Sequence, residues 1–239
     1  MGIDAILEKL KALADPDTRA GMARFGIDPD KALGVRIPDL RRLAKEIGQD
    51  HDLAQRLWRI DMRETRILAA LVDESDKVDE TQMEAWVAEF WDWEVCDQCC
   101  MNLFEKTPFA WVKALEWSAR PEEFVKRAGF VLMARLAVSD KRTADPAFEA
   151  FLPIIEREAD DDRNMVKKAV NWALRQIGKR NLTLHRLAMA AAERIQSRGT
   201  RAAKWIAADA LREFRDEKIL ARLRARTAKY TERTGAKRP

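Results

Sequence analysis

The chain has 239 residues, enough for one large domain or two small ones, and with 47% hydrophobic and 35% charged residues it is globular, not disordered. Nine Gly and eight Pro are too few for a β-rich or loop-rich protein, and the longest apolar run, Ala128 to Ala134, is far too short to cross a membrane. The formal net charge of +4 conceals an asymmetry: residues 163–239 carry 21 Lys and Arg against 6 Asp and Glu, a net of +15, which leaves −11 on residues 1–162. A basic half beside an acidic one suggests a surface for a polyanion on the C-terminal part, although a solvated Arg-rich helical tail would give the same count.

Apolar residues recur at spacings of three and four almost throughout, and strand-like alternation is nearly absent. In chain order the periodicity predicts helices over 2–14, 17–25, 38–48, 50–60, 64–73, 79–90, 94–105, 108–118, 121–138, 146–158, 163–178, 181–197, 200–214 and 216–228. Several termini have a physical cause. Pro121 followed by Glu122 and Glu123 makes a good first turn, because proline loses no useful donor there and the acids face the positive end of the helix dipole. Asp160, Asp161 and Asp162 similarly precede the helix expected from Arg163. Gly178 is expected to adopt the left-handed conformation that stops that helix. Thr227 to Pro239 is polar and basic and reads as a frayed end.

Short helices joined by short turns suggest a bundle or a helical solenoid, and internal similarity favours the solenoid. Val125–Arg135, Val166–Arg175 and Ala203–Arg212 each begin with one or two cations, run apolar and return to Arg. The spacing is 41 residues from Arg127 to Lys168 and 36 from Lys168 to Lys204, which suits two-helix HEAT-type repeats. The expected fold is therefore an all-α, HEAT-like helical-repeat solenoid with a basic concave face. It is expected as one continuous domain over residues 1–228, with a basic tail over 229–239.

Eight Trp is a high count. Trp58, Trp86, Trp91, Trp111 and Trp117 sit in apolar-periodic helices and read as core. Three others have polar company. Trp93 lies four residues before Asp97, so both project from one helical face. Trp172 has Lys168 one turn before it and Arg175 three residues after, and Trp205 follows Lys204. Spacing alone favours core burial for each, with stacking against a base or sugar as the functional alternative. Asp97 breaks the repeat pattern by placing a carboxylate where later repeats have Arg127, Lys168 and Lys204. It reads either as a helix-start acid in a salt bridge or as an anion positioned to stabilise a cationic intermediate.

Other constellations are weaker. Cys96, Cys99 and Cys100 fall on one predicted helix. They give no disulfide framework, which points to a reducing cytoplasm, and they read as buried free thiols in preference to a zinc site. His51 and His185 have no paired acid or nucleophile nearby in sequence. No phosphate-binding loop, dinucleotide fingerprint or nucleophile elbow is present. The N-terminus has no signal-peptide pattern.

From about Phe25 to about Phe214 the chain resembles the HEAT-repeat alkylpurine DNA glycosylases, the AlkD-type DNA alkylation repair family. Gly34-Val35-Arg36-Ile37-Pro38, with Leu40, Arg41, Leu43, Ala44 and Lys45, looks like the family's early helix. Arg63-Glu64-Thr65-Arg66, followed by Leu68 and Ala69, looks like its second block. Trp93-Glu94-Val95-Cys96-Asp97 matches its Trp-x-x-x-Asp motif, Lys126-Arg127-Ala128 its basic pair, and Lys168 to Arg175 its Trp-bearing helix. Cys96 to Cys100 departs from the familiar members.

The resemblance implies a monofunctional DNA glycosylase for N3- and N7-alkylated purines in duplex DNA, acting as a monomer without a cofactor or metal in the cytoplasm or, in a bacterium, on the nucleoid. Trp93, Asp97, Arg127 and Trp172 would occupy the cleft. Such a base is cationic and leaves neutral, so no general acid is needed to protonate it. Asp97 would stabilise the sugar oxocarbenium ion and guide water, the indoles would flank the damaged nucleotide, and Arg127 would anchor a phosphate. The family is also expected to act without swinging the lesion into a deep pocket, unlike base-flipping enzymes. Lys126, Arg127, Lys168, Arg175 and Lys204 are the expected DNA contacts. The alternatives are a non-catalytic repeat protein that binds damaged or bent DNA by shape, and a protein-binding scaffold.

Overall fold

The computed structural model describes residues 1–234, with side chains for residues 1–226 and for Ala228. Among these residues every regular element is helical: α1 (Ile3–Ala12), α2 (Pro16–Met22), α3 (Ile37–Ile47), α4 (His51–Trp58), α5 (Arg63–Val72), α6 (Glu80–Ala88), α7 (Trp93–Asn102), α8 (Ala110–Ser118), α9 (Glu123–Ser139), α10 (Asp145–Glu149), α11 (Leu152–Arg157), α12 (Asn164–Gly178), α13 (Leu182–Ser197), α14 (Arg201–Phe214) and α15 (Glu217–Thr234). None of the described helices is long and apolar enough to cross a membrane. Asp15, Asp50, Asp79, Asp92, Asn181 and Thr200 each accept a backbone N–H in the first turn of the helix that follows. These polar residues satisfy donors that the helix itself leaves without partners.

Four local expectations are revised. The predicted helix 146–158 is two helices, α10 and α11, because Pro153 has no N–H to continue the first into the second. Pro121 stands outside α9, which starts at Glu123, and its carbonyl accepts Arg163 Nη1 at 2.7 Å. Gly178 is not left-handed. It remains helical because a Cβ there would collide with the Phe214 ring, so the glycine serves close packing. Finally, α15 runs to Thr234, beyond the expected end at 228, and residues 235–239 of the expected tail lie outside the described residues.

The chain divides into two compact units, Met1–Ala110 and Trp111–Pro239. In the first, α5 packs against α3, α4 and α7. It is buried almost all round, and this burial includes the charged residues Arg63, Glu64 and Arg66. Backbone N–H groups of Leu33, Gly34 and Val35 donate to the Glu64 carboxylate at 3.0, 3.1 and 3.2 Å. Arg63 donates from Nη1 to Glu64 Oε1 at 2.8 Å and to the Val35 carbonyl at 2.9 Å, and from Nε to Glu94 Oε2 at 2.7 Å. Gly34 has φ +81°, and a side chain there would meet the Asp15 carbonyl, so the turn before α3 requires glycine. Trp58 stacks on Trp86 with centroids 4.0 Å apart, and the Arg66 guanidinium lies 5.0 Å from the Trp58 ring.

In the second unit α12 packs against α9, α13 and α14, and α11 packs against α13. This is a repeated two-helix arrangement, and hydrogen bonds mark its period. Arg127 to Met165, Asn171 to Asp209, Arg175 to Glu213 and Arg194 to Glu156 each span 38 residues. In the first unit Leu33 to Glu64, Trp58 to Glu89 and Arg63 to Glu94 each span 31. The sequence spacings of 41 and 36 bracket the longer period. The shorter helices of the first unit hide theirs.

Removing one member of a buried ionic cluster leaves its partners charged in a poorly hydrating interior. Arg63→Met is expected to cost about 3–5 kcal/mol, read from urea unfolding followed by tryptophan fluorescence. The double variant Arg63→Met/Glu64→Gln should be more stable than Arg63→Met. If the double variant were the less stable of the two, Glu64 would be held by its backbone donors alone.

Candidate functional site

Trp93 and Asp97 occupy the first two turns of α7, in the first unit. Asp92 caps this helix by accepting the N–H groups of Glu94 and Val95 at 2.6 and 2.8 Å. Trp93 is half-buried, and its indole N–H donates to the Phe25 carbonyl at 2.8 Å. The ring is therefore held in one orientation against the small apolar cluster of Met22, Ile27 and Ala32. One side of it borders an open groove of about 770 Å³, which Phe25, Pro38, Arg36, Arg63 and Glu94 also line. Asp97 is buried at 8% exposure, one turn beyond Trp93.

Burial drives the electrostatics of this helix. Asp92 is fully buried, and loss of hydration raises its carboxyl to about 6, with the neighbouring Glu94 charge adding to the rise against the two backbone hydrogen bonds. Its second oxygen has no hydrogen-bond partner. Burial also pushes the Cys99 thiol well above the ordinary range, so this group is neutral. Cys96, Cys99 and Cys100 are buried free thiols, and no group of three or more His, Cys, Asp or Glu among the described residues is arranged to hold a metal.

In the second unit Arg127 is buried on α9 and donates Nη1 to the Met165 carbonyl at 2.6 Å, in the first turn of α12. Trp172 is half-buried, farther along α12. The structure thus pairs Trp93 with Asp97 on one helix, and Arg127 with the helix that carries Trp172.

The expected DNA contacts fall into two groups. Lys126 lies 2.6 Å from Glu158 and 3.6 Å from Asp161, with only 11% of its side chain exposed. Arg175 donates to Asp209 at 3.0 Å and to Glu213, and these bonds, that to Glu213 foremost, raise its pKa further. Together with Arg127, these cations join neighbouring helices. Lys168 and Lys204 are solvent-exposed, and no ion pair engages either of them among the described residues. Much of the basic charge counted in the sequence is spent in the same way. Arg163 binds Asp161, Arg194 binds Glu156, Arg198 binds Asp160, and Lys179 binds Glu213.

The tryptophans sort as follows. Trp58, Trp86 and Trp117 are core, as their spacing implied. Trp91 and Trp111 are half-buried, Trp91 against the Met22 cluster and Trp111 stacked on Phe151 at 5.1 Å. Trp205 overturns the expectation of burial, because it is 41% exposed. Sequence reading also passed over Glu64 and Glu94. The signal available for them was an acid directly beside a motif residue at a helix start.

Residues 6–226 match the model of the DNA alkylation repair enzyme family. The chain belongs to that family. A solved structure of a protein from a family described as related to the HEAT-like repeat DNA glycosylases, with affinity for branched DNA structures, is similar to this chain with a TM-score of 0.74. The two are 18% identical, and the match covers 81% of this chain and 83% of that one. The fold is therefore the HEAT-like helical repeat. No curated protein matches the chain.

A carboxylate whose folded pKa lies above its unfolded value stabilises the fold by taking up a proton. That contribution is complete below the unfolded value near ~4 and is lost as pH rises through the folded one. For Asp92 the loss falls between about pH 4 and 6, and a shift of this size corresponds to up to ~3 kcal/mol. Asp92→Asn keeps an oxygen for the two cap hydrogen bonds and cannot titrate. Relative to wild type, its unfolding free energy should improve by that amount on going from pH 4 to pH 7. A difference independent of pH would show that Asp92 is ionised across the range.

Proposed function

We propose that this member of the DNA alkylation repair family is a monofunctional glycosylase. It would hydrolyse the N-glycosidic bond of N3- or N7-alkylated purines in duplex DNA. The observation that carries this reading is the Trp93-x-x-x-Asp97 motif on α7, with an oriented indole and a buried carboxylate one turn apart. A charge with little water around it acts more strongly on a neighbouring charge than one in bulk solvent. As the glycosidic bond breaks, positive charge passes from the alkylated base to the sugar, and the base departs neutral. Asp97 would stabilise that oxocarbenium ion and orient the water that attacks the anomeric carbon. Trp93 and Trp172 would flank the damaged nucleotide. Lys168 and Lys204 would contact phosphates, and Arg127 would fix the start of α12 beside them.

A second reading is a non-catalytic protein that recognises DNA by shape. It is favoured by one observation, that the structurally similar protein belongs to a family described by its affinity for branched DNA. Both readings need cations free to meet phosphates. Charge reversal of Lys168 and Lys204 together should weaken binding to damaged and undamaged duplex alike, because phosphate contacts carry little base information. Reversal of Arg175 should instead lower the melting temperature, since it removes one cation shared by Asp209 and Glu213 and sets a negative charge beside them.

The deciding experiment is Asp97→Asn, with single-turnover release of 7-methylguanine and 3-methyladenine, duplex affinity and melting temperature measured on one preparation. The change removes charge and retains size, so excision should fall by about a hundredfold or more while DNA affinity holds or rises. Normal excision with a lowered melting temperature would make Asp97 a structural acid. No excision by the wild type, with DNA binding intact, would establish the second reading.

A further inference from the structure

Seven of the eight tryptophans are buried or half-buried, and Trp205 is not. It stands on the first half of α14 with 41% of its surface open. Lys167 reaches across from the neighbouring α12 and places its ammonium 5.2 Å from the indole centroid. On the same two helices, Lys168 beside Lys167 on α12, and Arg201 one turn before and Lys204 next to Trp205 on α14, are all exposed, and none is engaged in an ion pair among the described residues. The acid nearest along α14, Asp209, is occupied by Asn171, Arg175 and Arg212. This contrasts with Lys126, Arg175, Lys179 and Arg194, which bind one helix or turn to the next.

We infer that Trp205, with Lys167, Lys168, Arg201 and Lys204, is a stacking platform for an unpaired nucleobase of DNA, the lysines and arginine holding the flanking phosphates. This rests on the DNA-binding part of the proposed function and adds the structural class of DNA that the second unit prefers. The occupant follows from charge and shape together. Three exposed cations without an ion pair among the described residues, beside Lys167 on the ring, call for a polyanion, and phosphates alone would need no exposed aromatic ring among them. In an intact duplex every base face is covered by its neighbours, so an indole outside the helix has nothing to stack on. A gap, a flap or a single strand offers an open π-face beside its phosphates, and aromatic stacking with cations at the backbone is the general means of binding such strands. Lys167 adds to the platform by cation–π attraction, which holds the ring in place across two helices.

The test compares two fluorescein-labelled probes of one sequence, a duplex with a central single-stranded gap and the same duplex without it, against wild type, W205A, W205F and the double variant K168A/K204A. The W205A substitution should weaken gapped-duplex binding about tenfold and intact-duplex binding less than about twofold. W205F should recover most of the loss. K168A/K204A should weaken both probes by a similar factor and reduce the salt dependence of each. Melting temperatures of all variants should agree with wild type, and if W205A melts early, the W205F comparison carries the test. Equal losses of W205A on the two probes, or no loss on either, would overturn the platform and leave the DNA reading standing. Failure of the wild type to bind either probe would overturn both.

Discussion

The first unit depends on one buried ionic contact, that of Arg63 between Glu64 and Glu94. Glu64 is fully buried, and it collects three successive backbone N–H groups from the turn that leads into α3. Arg63 shares that carboxylate and reaches on to the start of α7. One guanidinium thereby fixes three chain segments to each other, those that begin α3, α5 and α7. Apolar packing alone would tolerate rotation or sliding of such short helices. Paired charges without water do not, because any displacement leaves a charge unsatisfied. The cluster holds more acids than bases. The carboxyl of Asp92, pushed up to about 6 by burial and then by Glu94, brings it nearer to balance only below about that pH.

The second unit solves the same problem with longer helices and more arginine. Its repeat period of 38 residues is written in hydrogen bonds from one inner helix to the next, and most of these are charge-assisted. Arginine suits this task because its planar fork can serve two acceptors on a neighbouring helix. The consequence bears on function. A net charge of +15 over residues 163–239 overstates the field that a ligand meets, since Arg163, Arg194 and Arg198 are neutralised by Asp161, Glu156 and Asp160, which lie outside that stretch. What remains open to solvent includes Lys168, Arg201 and Lys204 on α12 and α14, with Arg186, Arg215, Lys218 and Arg222 elsewhere.

Much of the fold was legible from periodicity, because helices read at spacings of three and four and their caps are chemically distinctive. The family was legible too, from motifs at Gly34, Arg63, Trp93 and Lys168. The structure explains part of why those motifs travel together. The first three are joined by the Arg63 contact, so their spacing reflects assembly as much as chemistry. Less legible was anything decided by a neighbour distant in sequence. Gly178 read as a helix stop because glycine often is one, but the ring of Phe214 decides its role. Trp205 read as core because tryptophan usually is, but its helix turns that residue outward. Lys126 and Arg175 read as phosphate contacts because their acidic partners lie 32 and 38 residues away. A sequence shows a charge but not whether it is already answered.

The same distinction separates binding from chemistry in this family of folds. Exposed lysines and an open indole serve any protein that holds DNA, whether or not it alters it. A carboxylate does not, because an anion near phosphates lowers affinity. In a pure binder, a buried acid at the Trp-x-x-x-Asp position has to be justified by the fold alone. The first unit already has acids with that duty: Glu64 receives backbone donors, Glu94 receives Arg63, and Asp92 caps the helix. Asp97 sits one turn farther along α7, on the face shared with Trp93. The proposed reaction gives its charge a further task, to act on a group that becomes cationic only as the glycosidic bond breaks. A glycosylase needs that and a binder does not.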